Sequence, residues 1–247
     1  MQQKINFLET TIDNLNIDET LSRIEISLEK KEKIIREDIN AAKIVWMHNN
    51  PSLKEIIHKA DIINADGQSI IFASKLLGQP IKERVSGIDL MEHIISHADK
   101  KQWKIFFLGA SEDIIIKTVN KYAQTYSKDI IAGYHNGYFT KDDEDNIVDI
   151  INIANADILF IGMPSPKKEY FIDNHFEKLN CYLIMGVGGS FDVIAGKVKR
   201  APIWMQKYAL EWLFRLFQEP RKMWKRYLYT NSMFIWLILK EKIMRSH

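Results

Sequence analysis

Nearly continuous apolar runs alternate with helical segments along most of this 247-residue chain. The alternation predicts an α/β fold, a doubly wound and mainly parallel sheet followed by a basic helical C-terminal appendage. Three observations carry that expectation. Strand-length runs at 103–108, 130–134, 157–161 and 181–185 are separated by helical patterns at about 112–126, 142–154 and 166–178, as in a parallel sheet covered on both faces. Turn residues close these runs, at Asp66-Gly67, Gly109-Ala110-Ser111, Gly162-Met163-Pro164 and Gly186-Val187-Gly188-Gly189-Ser190. Open α/β sheets bind ligands at such carboxyl ends. Finally, composition changes after Gly196: residues 197–247 hold 12 Lys+Arg against 3 Asp+Glu, a net of +9, so the remainder of a chain of net charge +2 is about −7. The expected division is a core over 1–196 and an appendage over 197–247 that carries four of the six tryptophans.

The elements follow in order. Asp18 is expected to cap a helix over 18–31, with Leu21, Ile24 and Leu28 on one face. Lys33–Asp38 reads as a short strand and Asn40–His48 as a helix, with another helix at Leu53–Lys59. Asp61–Ala65 is a compact strand that stops at Asp66-Gly67. The helix from Gln68 to Leu77 ends at Gly78, a C-cap residue. A loop over Gln79–Ser86 carries Lys82, Glu83 and Arg84, and Gly87–Lys100 is helical. The tail is expected to be helical and broken near Pro220. With 46% hydrophobic and 27% charged residues, the composition is that of a soluble globular protein. A single cysteine, Cys181, forbids an internal disulfide. The N-terminus lacks the apolar stretch of a signal peptide, and the longest apolar run, Met233–Leu239, is too short to span a bilayer.

Several residues carry potential chemistry. A carboxylate at a buried strand end, such as Asp66, can be partly desolvated and so become a stronger base; an Asx-turn or a cap for the helix starting at Gln68 is the alternative. The Gly186–Gly189 turn, between a strand and a helix, suits a phosphate. Phe191 occupies the place of the third glycine of a dinucleotide fingerprint and no acidic ribose ligand follows, which argues against NAD. Asp192 either accepts hydrogen bonds from a nucleoside or simply favours a first helical turn. His93 and His97 are four apart but have no third ligand. Asp142-Asp143-Glu144-Asp145 reads as a solvated helix start after Thr140, so no metal site is expected. There is no serine or cysteine nucleophile motif. In the tail, Trp204, Tyr208 and Trp212 recur every four residues. Leu210, Leu213, Phe214 and Phe217 form a second stripe, accompanied by Arg215, Arg221, Lys222, Lys225 and Arg226. This pattern fits an anionic membrane surface, a helix packed on the core, or single-stranded nucleic acid.

The segments ADGQSIIFASKLLG with ERVSGIDLM, then FFLGA, GYFT, ADILFIGMPSPKKE, GVGGSFDVIAGKVKRAP and EWLFRLFQEPRKMWKRYL occur in the order and spacing of one family. Over about Asn40–Leu228 the chain resembles the WecG/TagA/CpsF glycosyltransferases. The resemblance implies a Rossmann-like fold and an inverting transfer, without a metal or other cofactor. The sugar would pass from a UDP donor, as UDP-N-acetylmannosamine does in the best-studied members, to a sugar on undecaprenyl diphosphate. It implies a peripheral place on the cytoplasmic face of the membrane, in envelope or exopolysaccharide synthesis, and leaves a homo-oligomer open. By the same resemblance Asp66 is the base and Arg84 contacts phosphate or acceptor. Asn40 and Asp192 hold the nucleoside, and Gly186, Gly188 and Gly189 lie beside the diphosphate. Gly109, in the FFLGA segment, joins the donor site, and Arg215 and Arg221 supply charge from the tail. Two departures stand out. Many relatives have Thr-x-Asn where this chain has Asp38-Ile39-Asn40, and a glutamine where it has Lys168. Lys168, expected at the site edge, is therefore a candidate for altered donor or acceptor choice. The rival expectations are a nucleotide-sugar-binding relative without catalysis, and a nucleic-acid-binding protein using the tail.

Overall fold

The computed structural model describes residues 4–8 and 10–245, apart from the side chain of Lys222; the outermost residues of the expected core and appendage therefore lie outside the description. A short antiparallel hairpin opens the chain, β1 (Lys4–Phe7) with β2 (Thr10–Asp13). Six further strands form one sheet: β3 (Ile34–Ile39), β4 (Ile62–Ala65), β5 (Ile105–Gly109), β6 (Ile131–His135), β7 (Ile158–Gly162) and β8 (Leu183–Gly186). Every pairing in it is parallel and the order is β4-β3-β8-β7-β5-β6. The hairpin was not expected, because KINF and TTID carry no long apolar run. Asp13 ties it to the sheet by accepting from the backbone N–H of Ile63 at 2.9 Å.

Side-chain alternation along the strands sorts the core into two layers. Ile35, Ile39, Ile63, Phe106, Leu108, Leu159, Ile161 and Ile184 face one side. There they meet α2 (Ala41–Asn49), α3 (Pro51–His58), α4 (Gln68–Leu76), α7 (Glu144–Ile153) and α8 (Lys167–His175). Ile34, Ile62, Ile105, Phe107, Ile158, Phe160, Leu183 and Met185 face the other. Their cover is α1 (Ile17–Lys30), α5 (Gly87–Lys101), α6 (Glu112–Thr125) and α9 (Ser190–Ile194). The parallel sheet covered on both faces is as the sequence predicts. Local chemistry explains the element starts. Asn16, not Asp18, caps α1, in a reciprocal capping box with Glu19 that satisfies two otherwise orphaned N–H groups. Asn40 caps α2, and Asn50 with Pro51 opens α3.

The tail is helical and divides at Pro220, into α10 (Ile203–Lys207), α11 (Glu211–Gln218) and α12 (Pro220–Arg245). One expectation changes here. Ala209 takes a left-handed φ of 59° between α10 and α11, so Trp204, Tyr208 and Trp212 do not share one continuous helix. The run Met233–Leu239 is split between core and surface: Phe234, Leu237 and Ile238 are buried in the main core, whereas Ile235, Trp236 and Leu239 are exposed. The far half of the tail is therefore part of the body's packing, laid against α2.

Candidate active site

The strand register places five carboxyl ends along one edge of the sheet. Ile39 pairs with Ala65, Gly109 with Gly162 and Ile161 with Gly186. Neighbouring strands β3 and β8 send their following helices, α2 and α9, to opposite faces. Such a divergence opens a crevice above the strand ends. A cleft of about 950 Å³ occupies it, closed on its far side by α11 and the first turns of α12.

Asp66 stands at the end of β4 on the wall of this cleft. It does not cap α4, whose N-cap is Gly67 with no side-chain hydrogen bond. Its Oδ2 instead accepts from the Gly87 N–H at 3.3 Å, at the start of α5. Burial first, and then the nearby Asp38 carboxylate, raise the Asp66 pKa above the ordinary carboxylate value; the guanidinium groups of Arg84 and Arg36 only partly offset them. Arg36 is fully buried, donating to Asn64 Oδ1 and the Val85 carbonyl at 3.0 Å each. Arg84 comes from the loop before α5. Its Nε lies 3.7 Å from Asp66 Oδ1, and its terminal nitrogens hold both carboxylate oxygens of Glu211 at 3.1 and 3.2 Å. The structure thus brings Asp66 and Arg84 together and adds Glu211 from α11. That residue left little trace in the sequence beyond being one of three acids in a basic tail.

At the cleft floor lies a buried charge cluster, of which Asp38 and Lys168 line the cleft. Lys43 Nζ contacts Glu37, Asp38 and Glu169 at 2.8, 3.2 and 3.1 Å; Lys168 Nζ contacts the same three at 2.8, 3.6 and 3.2 Å. Lys168 lines the cleft, but its side chain is 3% exposed and its charge is turned inward onto carboxylates. Burial alone would raise the carboxyl pKa of Asp38, but Lys43 and Lys168, with Arg36, outweigh it and hold the group ionised. For Glu169 burial is overcome by the same two ammonium groups, and its pKa is about 2. Asn40 lines the cleft, yet its side chain serves the fold. Its Oδ1 accepts from the Lys43 N–H at 3.0 Å and its Nδ2 donates to Asp38 at 3.2 Å.

The glycine turn lines the cleft, but its glycines have separate reasons to be there. A Cβ on Gly186 would fall 2.2 Å from Lys168 Nζ, and one on Gly189 would fall 2.8 Å from an Arg215 guanidinium nitrogen. Arg215 is thus pressed against the turn from α11. Gly188 has φ +51° and open space around it. The helix that follows, α9, has only five residues. Gly109 packs against the backbone of Gly162, where a Cβ would meet a carbonyl at 2.5 Å; its neighbours Ala110 and Ser111 line the cleft instead. Asp192 lines the cleft and is paired with Lys197 at 3.2 Å. Arg221 is exposed and away from the lining, whereas Arg226, five residues further along α12, does line it and stacks on Trp46 at 4.8 Å. At 3.6 residues per turn the two point about 140° apart around the helix, and that rotation decides which arginine reaches the cleft.

Among the described residues no group of three His, Cys, Asp or Glu side chains is placed to hold a metal ion. His97 is paired with Glu25. Within 142–145, Asp143 closes a capping box with Thr140, and Glu144 and Asp145 meet His175 and Lys178 at 2.9 and 2.6 Å.

The fold and the cleft define an α/β protein with an acid–arginine pair at the carboxyl edge of a parallel sheet, facing a cationic helical cover. The chain belongs to the glycosyl transferase WecG/TagA/CpsF family, whose profile it matches over residues 5–247. Among curated proteins it is similar to the N-acetylglucosaminyldiphosphoundecaprenol N-acetyl-beta-D-mannosaminyltransferase of Bacillus spizizenii, at 35% identity over 72% of this chain and 68% of that one. The protein of the same name from Bacillus subtilis is 34% identical, over 76% of this chain and 72% of its own. The Staphylococcus aureus MW2 protein is 30% identical over 97% of this chain and 93% of its own.

Proposed function

We propose that this chain is an inverting glycosyltransferase, in a Rossmann-like, doubly wound fold. It moves a sugar, N-acetylmannosamine being the first candidate, from a UDP donor to an undecaprenyl-diphosphate-linked sugar during envelope or exopolysaccharide assembly. The observation that carries the reading is Asp66, a carboxylate of raised proton affinity facing a cleft with Arg84 beside it. The names of the relatives support the same substrates. In the proposed step an acceptor hydroxyl oxygen attacks the anomeric carbon of the donor as its proton passes to Asp66. The bond from that carbon to the UDP oxygen breaks, and the electron pair leaves with UDP. Single displacement needs only one base, and the departing diphosphate needs positive charge. Arg84, Arg215 and Arg226 are the lining groups that supply it.

The acceptor's lipid places the reaction at a membrane surface. No described helix is long and apolar enough to cross a membrane. Ile203, Trp204, Tyr208, Phe217, Trp224 and Leu228 are exposed on the tail, a set suited to the interface of the cytoplasmic leaflet. Incubation with radiolabelled UDP-sugars and a polyprenyl-diphosphate sugar tests the proposal. The expected result is labelled lipid product that persists in excess EDTA. UDP-sugar binding without transfer would make the chain a non-catalytic relative. Loss in EDTA with rescue by Mg²⁺ or Mn²⁺ would overturn the metal-independent chemistry.

A further inference from the structure

We propose that Glu211 is a positioning residue that holds the Arg84 guanidinium away from Asp66, leaving the Asp66 carboxylate available to take a proton. The inference rests on reading Asp66 as the base. Arg84 has two acidic neighbours and is shared unequally. Its Nη1 and Nη2 form a two-pronged contact with Glu211 at 3.1 and 3.2 Å, the geometry in which a guanidinium binds a carboxylate most strongly. Its Nε lies 3.7 Å from Asp66 Oδ1, too far for a hydrogen bond. That Nε is buried and has no hydrogen-bond partner among the described residues. A buried donor without a partner is costly, and a shift of less than 1 Å toward Asp66 would bring this one within the usual range. The fork on Glu211 opposes that shift.

Favourable placement of an acid in the first turn of α11 explains a glutamate at 211, but not the direction of both its oxygens onto an arginine 127 residues away. The charged groups facing Asp66 are Asp38 and Arg36 from β3, Arg84 from the loop before α5, and Glu211 from α11. Arg200 also acts on Glu211 but is engaged by Asp89 at 2.6 Å. Glu211 is therefore the group placed to compete with Asp66 for Arg84. With that competitor neutralised, Arg84 closes on Asp66, and a base in full contact with a guanidinium binds its proton less well.

Full-length Glu211→Gln, Glu211→Asp, Arg84→Gln and the Glu211→Gln/Arg84→Gln pair test this by two readouts. One is the Asp66 carboxylate titration by ¹³C NMR, assigned from the signal lost in Asp66→Asn; the other is the pH profile of sugar transfer. In Glu211→Gln the Asp66 midpoint is expected to fall by about one pH unit. The acid limb of the rate profile should move the same way, with transfer near neutral pH several-fold slower. Glu211→Asp, which keeps the charge, should restore most of the midpoint, and it decides the matter if Glu211→Gln fails to fold. Because the effect runs through Arg84, most of the shift should vanish in the Arg84→Gln background. An unchanged midpoint, or an equal shift with and without Arg84, overturns the proposal. If the Asp66 midpoint falls in Glu211→Gln as expected but the wild-type chain transfers no sugar, the functional reading fails while the role of Glu211 toward Arg84 stands.

Discussion

Burial and the Asp38 carboxylate both favour the protonated form of Asp66 and raise its pKa. An acid whose folded-state pKa is raised stabilises the fold below its unfolded pKa, and that contribution is lost as pH rises through the folded value. Asp66→Asn should therefore be at least as heat-stable as wild type near neutral pH, its amide oxygen still accepting from the Gly87 N–H. Transfer should drop by ~10²–10⁴, the usual share of a positioned base. Near wild-type turnover would remove Asp66 from the mechanism. Lys168 works in the opposite sense. It and Lys43 offset most of the charge of Glu37, Asp38 and Glu169 in a buried place. Lys168→Gln leaves three carboxylates with one lysine and should cost about 3–5 kcal/mol, as for a broken buried pair. Removing Asp38 as well, in Asp38→Thr/Lys168→Gln, restores the charge balance and should recover most of that loss in denaturant unfolding. An additive pair would mean that the two residues are independent. The depressed pKa of Glu169, about 2, sets the acid side: its contribution is present above the ordinary glutamate value and is lost as pH falls through about 2.

At the scale of elements, α12 has two roles that its sequence does not separate. Its first turns carry Met223, Arg226 and Tyr227 to the cleft. Further along, Phe234, Leu237 and Ile238 fill the core beside Ile44 and Met47 of α2. The strand pattern alone suggests that a chain ending near Gly196 would keep its fold, because all the strands precede the cut. The packing argues otherwise. Burying three such side chains contributes roughly 1.5–3 kcal/mol each, a large part of the roughly 5–15 kcal/mol that holds a domain together. A chain ending at Gln218, which retains Glu211 and Arg215, should melt well below wild type or aggregate. A melting temperature equal to that of the full chain would show that the core closes without α12. The upstream part of the tail is attached more lightly. Gln218 brackets Lys199 through both its backbone groups, at 2.8 and 3.0 Å, and Arg200 reaches Asp89.

For the whole molecule, the division of charge has a consequence in solution. All three acids of the tail are engaged by arginines: Glu211 by Arg84, Glu219 by Arg215 and Glu241 by Arg245. Arg221 and Lys225, by contrast, are exposed near the bare Trp224 and Leu228. At an anionic leaflet nearby basic residues contribute ~1 kcal/mol each and are screened within a Debye length. Sedimentation with anionic liposomes should accordingly show moderate, reversible binding that weakens with salt. Trp204→Ala with Phe217→Ala should reduce the fraction that resists salt. Equal binding to neutral vesicles at every salt concentration would leave the basic residues without this role.

Much of the architecture was written locally. The apolar runs ending at Gly109, Gly162 and Gly186, and the helical patterns between them, specify a parallel sheet because each depends on residues within a few positions. The same runs mark the strand ends where the cleft opens, and Asp66 could be picked out there because it follows a buried strand directly. The N-terminal hairpin was not legible, since KINF and TTID gain their order from Asp13 and the neighbouring β4. Nor could the sequence assign partners to charges. Sign alone does not say that Lys168 turns inward to Glu37, 131 residues away, or that Glu211 takes Arg84. It does not say that Arg226 reaches the cleft and Arg221 does not. Those choices depend on β8 entering between β3 and β7 and on α12 docking against α2. Periodicity records what a residue meets within a turn or a strand; the long-range return of the chain decides which charge it meets across the fold.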